Sequence, residues 1–237
     1  MQQIFNTIFY QPLFNVLVFF YNIIPGHDIG LTIIALTIII KIILFPLAQK
    51  SLKSQRAMTR LQPQLEELKV KFKDDRAGQS KAMMELYKKE KISPWSSCLP
   101  LLIQLPFLLA VFWVFKNGLS NGSLNWLYSF VYNPGSLNPV AFGFLDLAGP
   151  NLVLGVAAGL AQYWQSKLMI GRSQAKGVSS MMNKQMLYMM PVLTVVFSFS
   201  LPAGLMLYWL VMTLLSVAQQ ELLFRKLDRQ SGQPAAS

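Results

Sequence analysis

Charged residues are scarce in this chain of 237 residues, and so are cysteine and histidine. Only 13% of the residues are Asp, Glu, Lys or Arg, about half of the roughly 25% that is usual in globular proteins. The single cysteine, Cys98, excludes a disulfide framework, and together with the single histidine, His27, it excludes a cysteine-based zinc site. The sequence has no GxxxxGKS/T loop, no HExxH motif and no Ser/His/Asp or Cys/His set. We therefore expect no enzymatic activity, no metal and no cofactor.

Apolar residues, by contrast, make up 53% of the chain, and three basic segments divide them into long uncharged stretches. Nineteen of the 21 Lys and Arg residues lie in the segments 50–91, 167–184 and 225–229. The two exceptions are Lys41 and Lys116. This apolar content excludes a disordered chain, and uncharged stretches of about 20 residues are long enough to cross a bilayer. The pattern is typical of a polytopic membrane protein with a basic polar part.

We predict an all-α polytopic membrane protein with five transmembrane helices. Basic segments favour the cytoplasmic side, and an even number of predicted spans separates each pair of them, so the N-terminus is outside and the C-terminus inside. The predicted segments are an N-terminal amphipathic interfacial helix (1–27), the first span (28–49), a cytoplasmic antiparallel helical hairpin (50–94), the second span (95–116), an extracytoplasmic loop (117–150), the third span (151–170), a cytoplasmic loop (171–184), the fourth span (185–200), the fifth span (203–223) and a short basic cytoplasmic tail (224–237).

The N-terminal segment has an alternative interpretation. Its polar residues fall within about half of a helical wheel, which favours a helix lying in the outer interface, but residues 1–24 could also form a sixth span. In the hairpin, Pro63 is compatible with a break in the helix, and the residues Asp74 to Gly78 are typical of a turn. Residues 231–237 are expected to be disordered.

Lys41 is the most informative residue, because it lies inside the first predicted span. It precedes Lys50 by nine residues, roughly 13 Å along a helix, so its charge falls within the inner half of the bilayer. A lysine near the centre of a spanning helix costs about 2.5–3.5 kcal/mol and usually faces a partner or a hydrated cavity. The sequence offers few acidic partners within the spans, since Asp28, Asp146 and Glu221 all lie at span ends, and this favours the cavity. The alternative is a side chain that extends to the inner interface.

Polar side chains form stripes on three of the predicted spans. These stripes are Thr37 with Lys41, then Gln162 with Gln165 and Ser166, and finally Trp209 with Thr213, Ser216 and Gln220. Polar groups on a membrane helix point at other helices or at water. A single one of them is explained equally well by an interhelical hydrogen bond. Three stripes together with a lysine predict a shared hydrophilic groove.

Two longer motifs carry a family resemblance. Residues 97–107 (SCLPLLIQLPF) and 201–209 (LPAGLMLYW) resemble the signatures that open the second and last core spans of the YidC membrane protein insertases. The order of these motifs, with Gln62-Pro63, Leu86-Tyr87-Lys88-Lys89, Ser93-Pro94, Met189-Met190-Pro191 and Gln219-Gln220, is also similar over residues 28–228. The resemblance implies a five-helix core, a cytoplasmic hairpin, and a groove that is open to the cytoplasm and to lipid but closed on the outside.

The resemblance also assigns roles within the groove. Lys41 stands where the family usually has arginine, and it keeps the charge but lacks the planar guanidinium. Thr37 matches the small polar position four residues earlier, Trp209 matches an aromatic position that contacts substrate, and Thr213 stands where asparagine is common. The predicted groove residues are Thr37, Lys41, Gln104, Gln162, Gln165, Tyr208, Trp209, Thr213 and Ser216.

The function that this resemblance implies is the insertion and folding of nascent membrane proteins in the bacterial inner membrane, without ATP hydrolysis. The expected partners are nascent membrane proteins, membrane lipids, the ribosome and a targeting factor that meet the hairpin, with the Sec translocon as a further candidate; no specific nucleic-acid binding is expected. A compact form is expected, without a lipid-anchored cysteine, a large extracytoplasmic domain or a long ribosome-binding extension. The alternatives are a small transporter or channel that uses the same groove, and an assembly partner of a larger translocon.

Overall fold

The structure is a computed structural model, and it describes residues 2–90, 92–93, 99–118, 123–170 and 178–230. It is predominantly helical. The helices are α1 (Gln2–Phe5), α2 (Gln11–Ile23), α3 (Ile29–Lys71), α4 (Arg76–Lys89), α5 (Leu99–Gly118), α6 (Leu152–Ile170), α7 (Val178–Phe197) and α8 (Ala203–Gln230). A π-helical turn over Asn6–Tyr10 joins α1 to α2, and short 3-10 turns occur at Pro25–His27 and Ser123–Trp126. Ser97 and Cys98 of the first signature, Arg172 and Lys176, and residues 231–237 lie outside the described residues.

The longest helix, α3, continues well beyond the segment that was predicted to span the membrane. It begins at Ile29, where the side chain of Asp28 caps the helix by accepting a hydrogen bond from the backbone of Leu31 at 2.9 Å. It then runs through Pro46 and Pro63 to Lys71. The break that Pro63 made possible is therefore absent, and the first predicted span and the first part of the predicted hairpin form one helix.

The turn after α3 is shorter than the sequence indicated. It occupies residues 72–75, and α4 begins at Arg76, so the last part of the predicted turn is already helical. Asp75 caps α4 by accepting a hydrogen bond from the backbone of Gly78 at 2.9 Å. The side chain of Gln79 donates to the carbonyl of Lys69 at 3.3 Å, which holds the start of α4 against the end of α3.

A small antiparallel ribbon lies between α5 and α6. Its strands are β1 (Val140–Ala141) and β2 (Leu145–Asp146), with Val140 opposite Asp146 and Ala141 opposite Leu145. The prediction of an all-α protein omitted this ribbon. Ribbon and helix meet closely at α3, because a Cβ on Gly30 would lie 2.7 Å from the Cβ of Ala141. A larger residue at position 30 would separate the ribbon from the start of α3.

The segment between α5 and α6 is also tied to α2 and to the turn before α8. Asn15 on α2 donates to the carbonyl of Trp126 at 2.9 Å and accepts from the backbone of Tyr128 at 2.6 Å. The backbone of Ala203 donates to the carbonyl of Gly149 at 2.7 Å. Polar side chains of α2 therefore bond to the loop, while Phe14, Leu17 and Val18 are buried in the main core.

The main core is formed by residues of α2, α3, α5, α8 and the segment before α6. The buried side chains with the lowest exposure include Ile33, Leu36 and Ile40 on α3, and Met206 and Tyr208 on α8. A second, smaller apolar cluster joins the later part of α3 to the end of α8. It contains Leu52, Leu223 and Phe224, packed against Met169 and Leu227.

Three helical stretches of the described residues are long and apolar enough to cross a membrane: Gln3–Ile23, Ile29–Lys71 and Ala203–Leu227. Leu102–Lys116 and Lys184–Phe197 are apolar but shorter. The N-terminal stretch thus meets the length and hydropathy of a span while its polar side chains bond to a loop. The predicted count of five spans and their orientation remain predictions.

Candidate functional site

The side chain of Lys41 points from α3 towards α8. Its Nζ donates a hydrogen bond to the Oγ of Ser216 at 2.8 Å, and this hydroxyl donates in turn to the carbonyl of Met212 at 2.8 Å. Among the described residues no carboxylate forms an ion pair with Lys41. The charge is therefore held between two helices by a neutral partner, which leaves it able to attract an anionic group.

Lys41 lines a cavity of about 230 Å³ between α3, α5, α6 and α8. The cavity is mixed in character, because apolar side chains alternate with amides and one ammonium group. Its lining residues are Lys41, Leu44, Ala48, Leu52, Gln55, Ile103, Gln104, Gln165, Met169, Met212, Ser216, Gln219 and Gln220. A liquid water molecule occupies about 30 Å³, so this space has room for several polar groups.

Four of the predicted groove residues meet at this cavity, namely Lys41, Gln104, Gln165 and Ser216. A fifth, Tyr208, is only 1% exposed and lies behind Gln104. Its hydroxyl accepts a hydrogen bond from the Nε2 of Gln104 at 2.5 Å. Tyr208 thus positions an amide of the cavity wall.

The other four predicted groove residues do not line the cavity. Thr37 is buried and donates to the carbonyl of Ile33 on its own helix at 2.6 Å, while Thr213 is buried on α8. Trp209 packs against the main core. Gln162 accepts a hydrogen bond from the hydroxyl of Thr194, which joins α6 to α7. For Gln162 the structure therefore has the interhelical hydrogen bond that the sequence left open as an alternative.

Two residues of the cavity, Gln219 and Gln220, were not among the nine predicted groove residues, although Gln220 belonged to the polar stripe predicted on the last span. Gln220 continues the polar stripe of α8, and both residues lie within one turn of Ser216, which is the signal that could have identified them. The later part of α3 also contributes, through Leu52 and Gln55. That part was missed because α3 was expected to leave the bundle at residue 50.

The second apolar cluster adjoins the cavity. Leu52 belongs both to the cavity wall and to this cluster, and so does Met169. The guanidinium of Arg56 lies 4.3 Å above the ring of Phe224, a distance at which a cation is attracted to an aromatic face. Within the described residues no group of three or more His, Cys, Asp or Glu side chains could hold a metal ion.

Comparison with known proteins gives consistent results. Residues 19–230 match the family model described as "60Kd inner membrane protein". A protein of Fusobacterium nucleatum subsp. nucleatum named membrane protein insertase YidC is 36% identical over 199 residues, which are 84% of this chain and 87% of that relative. A protein of Methylobacillus flagellatus with the same name is 36% identical over 225 residues, which are 94% of this chain but 37% of that relative.

A solved structure is also similar. It is described as "Active YidC insertase crystal structure with the first transmembrane domain resolved", and it matches with a TM-score of 0.61 and 29% sequence identity. The match covers 88% of this chain and 45% of the other. The chain thus spans most of the Fusobacterium relative but less than half of the Methylobacillus relative and of the solved structure.

Proposed function

Because the chain belongs to the YidC family of membrane protein insertases, we propose that it inserts nascent membrane proteins into the bacterial inner membrane. Members of this family are inner membrane proteins, and the long apolar helices of this chain suit that location. The observation that carries the proposal is the position of Lys41. It lines the cavity between α3, α5, α6 and α8, bonded to Ser216 and without an acidic partner among the described residues.

In the proposed mechanism, the short polar tail of a client protein enters the cavity while its apolar segment lies beside α3 and α8. Lys41 attracts acidic residues of the tail, since a charge in a partly dry site acts more strongly than in water. The amides of Gln104 and Gln165 provide further polar contacts. The tail therefore crosses a shorter apolar distance than an unassisted tail would.

Known physical forces are sufficient to drive this step. The apolar segment of the client moves into lipid with a gain of about 25 cal/mol for each Å² of apolar surface buried. The membrane potential assists an acidic tail by about 2.3 kcal/mol per charge for each 100 mV. ATP hydrolysis at this protein is not required for either term.

The proposed topology has five spans, with α2 in the outer interface and the α3–α4 turn in the cytoplasm. The distribution of Lys and Arg supports it. The bonds from Asn15 to the segment after α5 support an extracytoplasmic position for α2. The basic residues of α4 and of the end of α3 would then face the ribosome or a targeting factor, and the Sec translocon is a further proposed partner.

Insertion into purified vesicles tests the role of Lys41. We expect Lys41→Ala to lower the insertion of a single-span client with an acidic tail about three- to fivefold, because an ion attraction with access to water contributes roughly 1 kcal/mol. Lys41→Arg should retain insertion, since it keeps the charge. Protease protection of the client tail measures the result.

Lys116→Ala is the matched control, because Lys116 is the other basic residue outside the three basic segments and is exposed at the end of α5. A client with a neutral tail should depend less on Lys41. Unchanged insertion of the acidic client by Lys41→Ala would contradict the role of Lys41. Ion or solute flux through the same vesicles would support the transporter alternative, which no observation in the described part of the chain favours.

A further inference from the structure

The side chain of Gln219 lies at the wall of the cavity and reaches α3. Its Nε2 donates to the backbone carbonyl of Phe45 on α3 at 3.4 Å. A carbonyl accepts hydrogen bonds but cannot donate them, so this contact uses the amide nitrogen and leaves the amide oxygen without a partner among the described residues. The residue is only 7% exposed, and its Oε1 has no hydrogen-bond donor among the described residues.

Gln220, the next residue, provides a second acceptor of the same kind. Its side chain is 1% exposed, lines the same cavity, and its Oε1 also has no donor within the described part of the chain. Buried polar atoms are nearly always hydrogen-bonded, and an unsatisfied buried acceptor is destabilising. Two such oxygens on adjacent α8 residues of the cavity wall indicate that a ligand with N–H or O–H donors completes them.

The arrangement on α8 places these acceptors close to the ammonium group of Lys41. Ser216, Gln219 and Gln220 are related by steps of three and four residues, so they share one face of the helix. Ser216 bonds the Nζ of Lys41 on that face. One side of the cavity therefore offers a cationic donor and two neutral acceptors within about one helical turn.

We propose that the oxygens of Gln219 and Gln220 accept hydrogen bonds from backbone N–H groups of the client tail, while Lys41 attracts its carboxylates. This inference rests on the proposed insertase function and names the chemical group that the cavity recognises. Every residue except proline carries one backbone N–H donor and one carbonyl acceptor. The glutamine pair therefore binds tails of many sequences, whereas Lys41 distinguishes them by charge.

Recognition of the backbone answers a physical need of the reaction. A tail that enters an apolar environment loses its bonds to water, and each unsatisfied backbone group then costs several kcal/mol. The carbonyl groups of the tail can accept from Lys41 or from the amide of Gln104. Its N–H groups need acceptors, and Gln219 and Gln220 supply buried ones.

The test compares two clients whose neutral tails have the same length but different numbers of N–H donors. One neutral tail contains Ala, Asn and Ser, and in the other every second residue is replaced by proline, which has no N–H group. The clients are inserted into vesicles of phosphatidylethanolamine and phosphatidylglycerol that contain wild-type protein, Gln220→Met or Gln219→Met/Gln220→Met. Methionine keeps the unbranched shape of glutamine without its amide oxygen.

We expect the double substitution to lower insertion of the first client about three- to tenfold, the loss that corresponds to one or two net hydrogen bonds. Insertion of the proline-containing client should stay within about twofold of wild type. Gln220→Met is the safer variant, since the Oε1 that it removes has no hydrogen-bond donor among the described residues. It should lower insertion of the first client by a smaller factor and again spare the proline-containing client. Gln185→Met, at an exposed position on α7, is the matched control and should leave both clients unchanged.

Equal losses for both clients would overturn the proposal, because the glutamines would then act by holding water or by supporting the fold. The absence of any loss in the double variant would also overturn it. Failure of the proposed function has a different signature: wild-type protein would insert neither client above the level of protein-free vesicles. A dependence of acidic tails on Lys41 that persists in Gln220→Met would show that the two contributions are separate.

Discussion

At the scale of single residues, the cavity contains polar groups that lack a hydrogen-bond or ion-pair partner as well as groups that have one. Lys41 is bonded to Ser216 yet has no acidic partner among the described residues, and the oxygen of Gln219 is aligned by a contact that uses only its nitrogen. Tyr208, in contrast, has a partner for both its ring and its hydroxyl group. Its ring is buried and its hydroxyl bonds the amide of Gln104. In the proposed mechanism the first two residues bind the client tail, whereas the third holds the wall of the cavity.

Tyr208→Phe tests this structural role. We expect it to destabilise the protein by about 1 kcal/mol, because Gln104 loses its acceptor in a buried setting. Thermal unfolding in detergent micelles measures the change. Tyr163→Phe is the control, since Tyr163 contributes a ring contact to Tyr188, with centroids 6.0 Å apart, which phenylalanine retains. Equal destabilisation by both substitutions would argue against a specific Gln104–Tyr208 bond.

At the scale of elements, close packing of α6 depends on small residues. A Cβ on Gly155 would lie 2.1 Å from the Oγ and 2.2 Å from the Cβ of Ser198. At Gly159, the nearest atoms would be a methyl group of Val195 at 2.9 Å and the carbonyl of Pro191 at 3.1 Å. A side chain at either position would collide with these atoms, so glycine is what allows α6 to approach α7 closely, as small residues do in other membrane helix pairs. The position of Gln165 in the cavity depends on this packing, since α6 carries it.

Gly155→Ala should destabilise the protein by about 1–3 kcal/mol, the usual range for overpacking. Adding Ser198→Gly should restore most of the loss, because both of the closest atoms belong to the side chain of Ser198. Gly149→Ala is the control, since the nearest atom to its Cβ would be 4.0 Å away. Unfolding midpoints of the four proteins decide the matter, and a failure of Ser198→Gly to rescue would place the strain elsewhere.

At the scale of the whole molecule, both the distribution of charge and the packing distinguish two ends of the helix bundle. One end joins α2, the start of α3, the ribbon and the turn before α8. Asn15 and the backbone of Ala203 donate hydrogen bonds there, and the carboxylate of Asp28 accepts one from the backbone of Phe142. The other end contains the basic residues of α3 and α4 and the apolar cluster around Phe224. The cavity lies between them, with Lys41 on α3 and Gln220 on α8.

Site-directed labelling tests which end faces the cytoplasm. In a Cys98→Ser background, Lys73→Cys in the α3–α4 turn should react with an impermeant maleimide only in inverted vesicles. Ser136→Cys, in the segment before the ribbon, should react only in intact cells or spheroplasts. Both positions are exposed, so a difference in reactivity reflects the side of the membrane. Labelling of both from one side would contradict the proposed topology.

The existence of the helices was predictable from sequence, but their bounds were not. Apolar stretches of about 20 residues require helices in lipid, because each backbone group must be bonded within its own segment. That requirement does not say where a helix stops. α3 continues through Lys50 to Lys71, because the hydrogen bonds between successive turns of a helix form in water as well as in lipid. The ribbon could not be predicted, because its strands of two residues each are too short to show the alternation of apolar and polar side chains that marks a strand.

The groove illustrates the same division. Lys41 was identifiable because a charge inside an apolar stretch is conspicuous in one dimension. Gln162 and Gln165 are equivalent in sequence, both being amides on one face of α6, yet Gln165 lines the cavity and Gln162 bonds Thr194 on α7. A difference of less than one helical turn determines which neighbouring helix each side chain meets.

By itself the sequence determined the class of protein, the apolar helices and the charge on which the proposed function rests, because hydropathy and charge are properties that can be counted along the chain. Only the tertiary structure decided which polar groups share a cavity, and that the amide oxygens of Gln219 and Gln220 have no hydrogen-bond donor among the described residues. The physical reason is that a hydrogen bond needs its two heavy atoms within about 3.5 Å. That distance is set by the packing of α3 against α8, which lie more than a hundred residues apart in the chain.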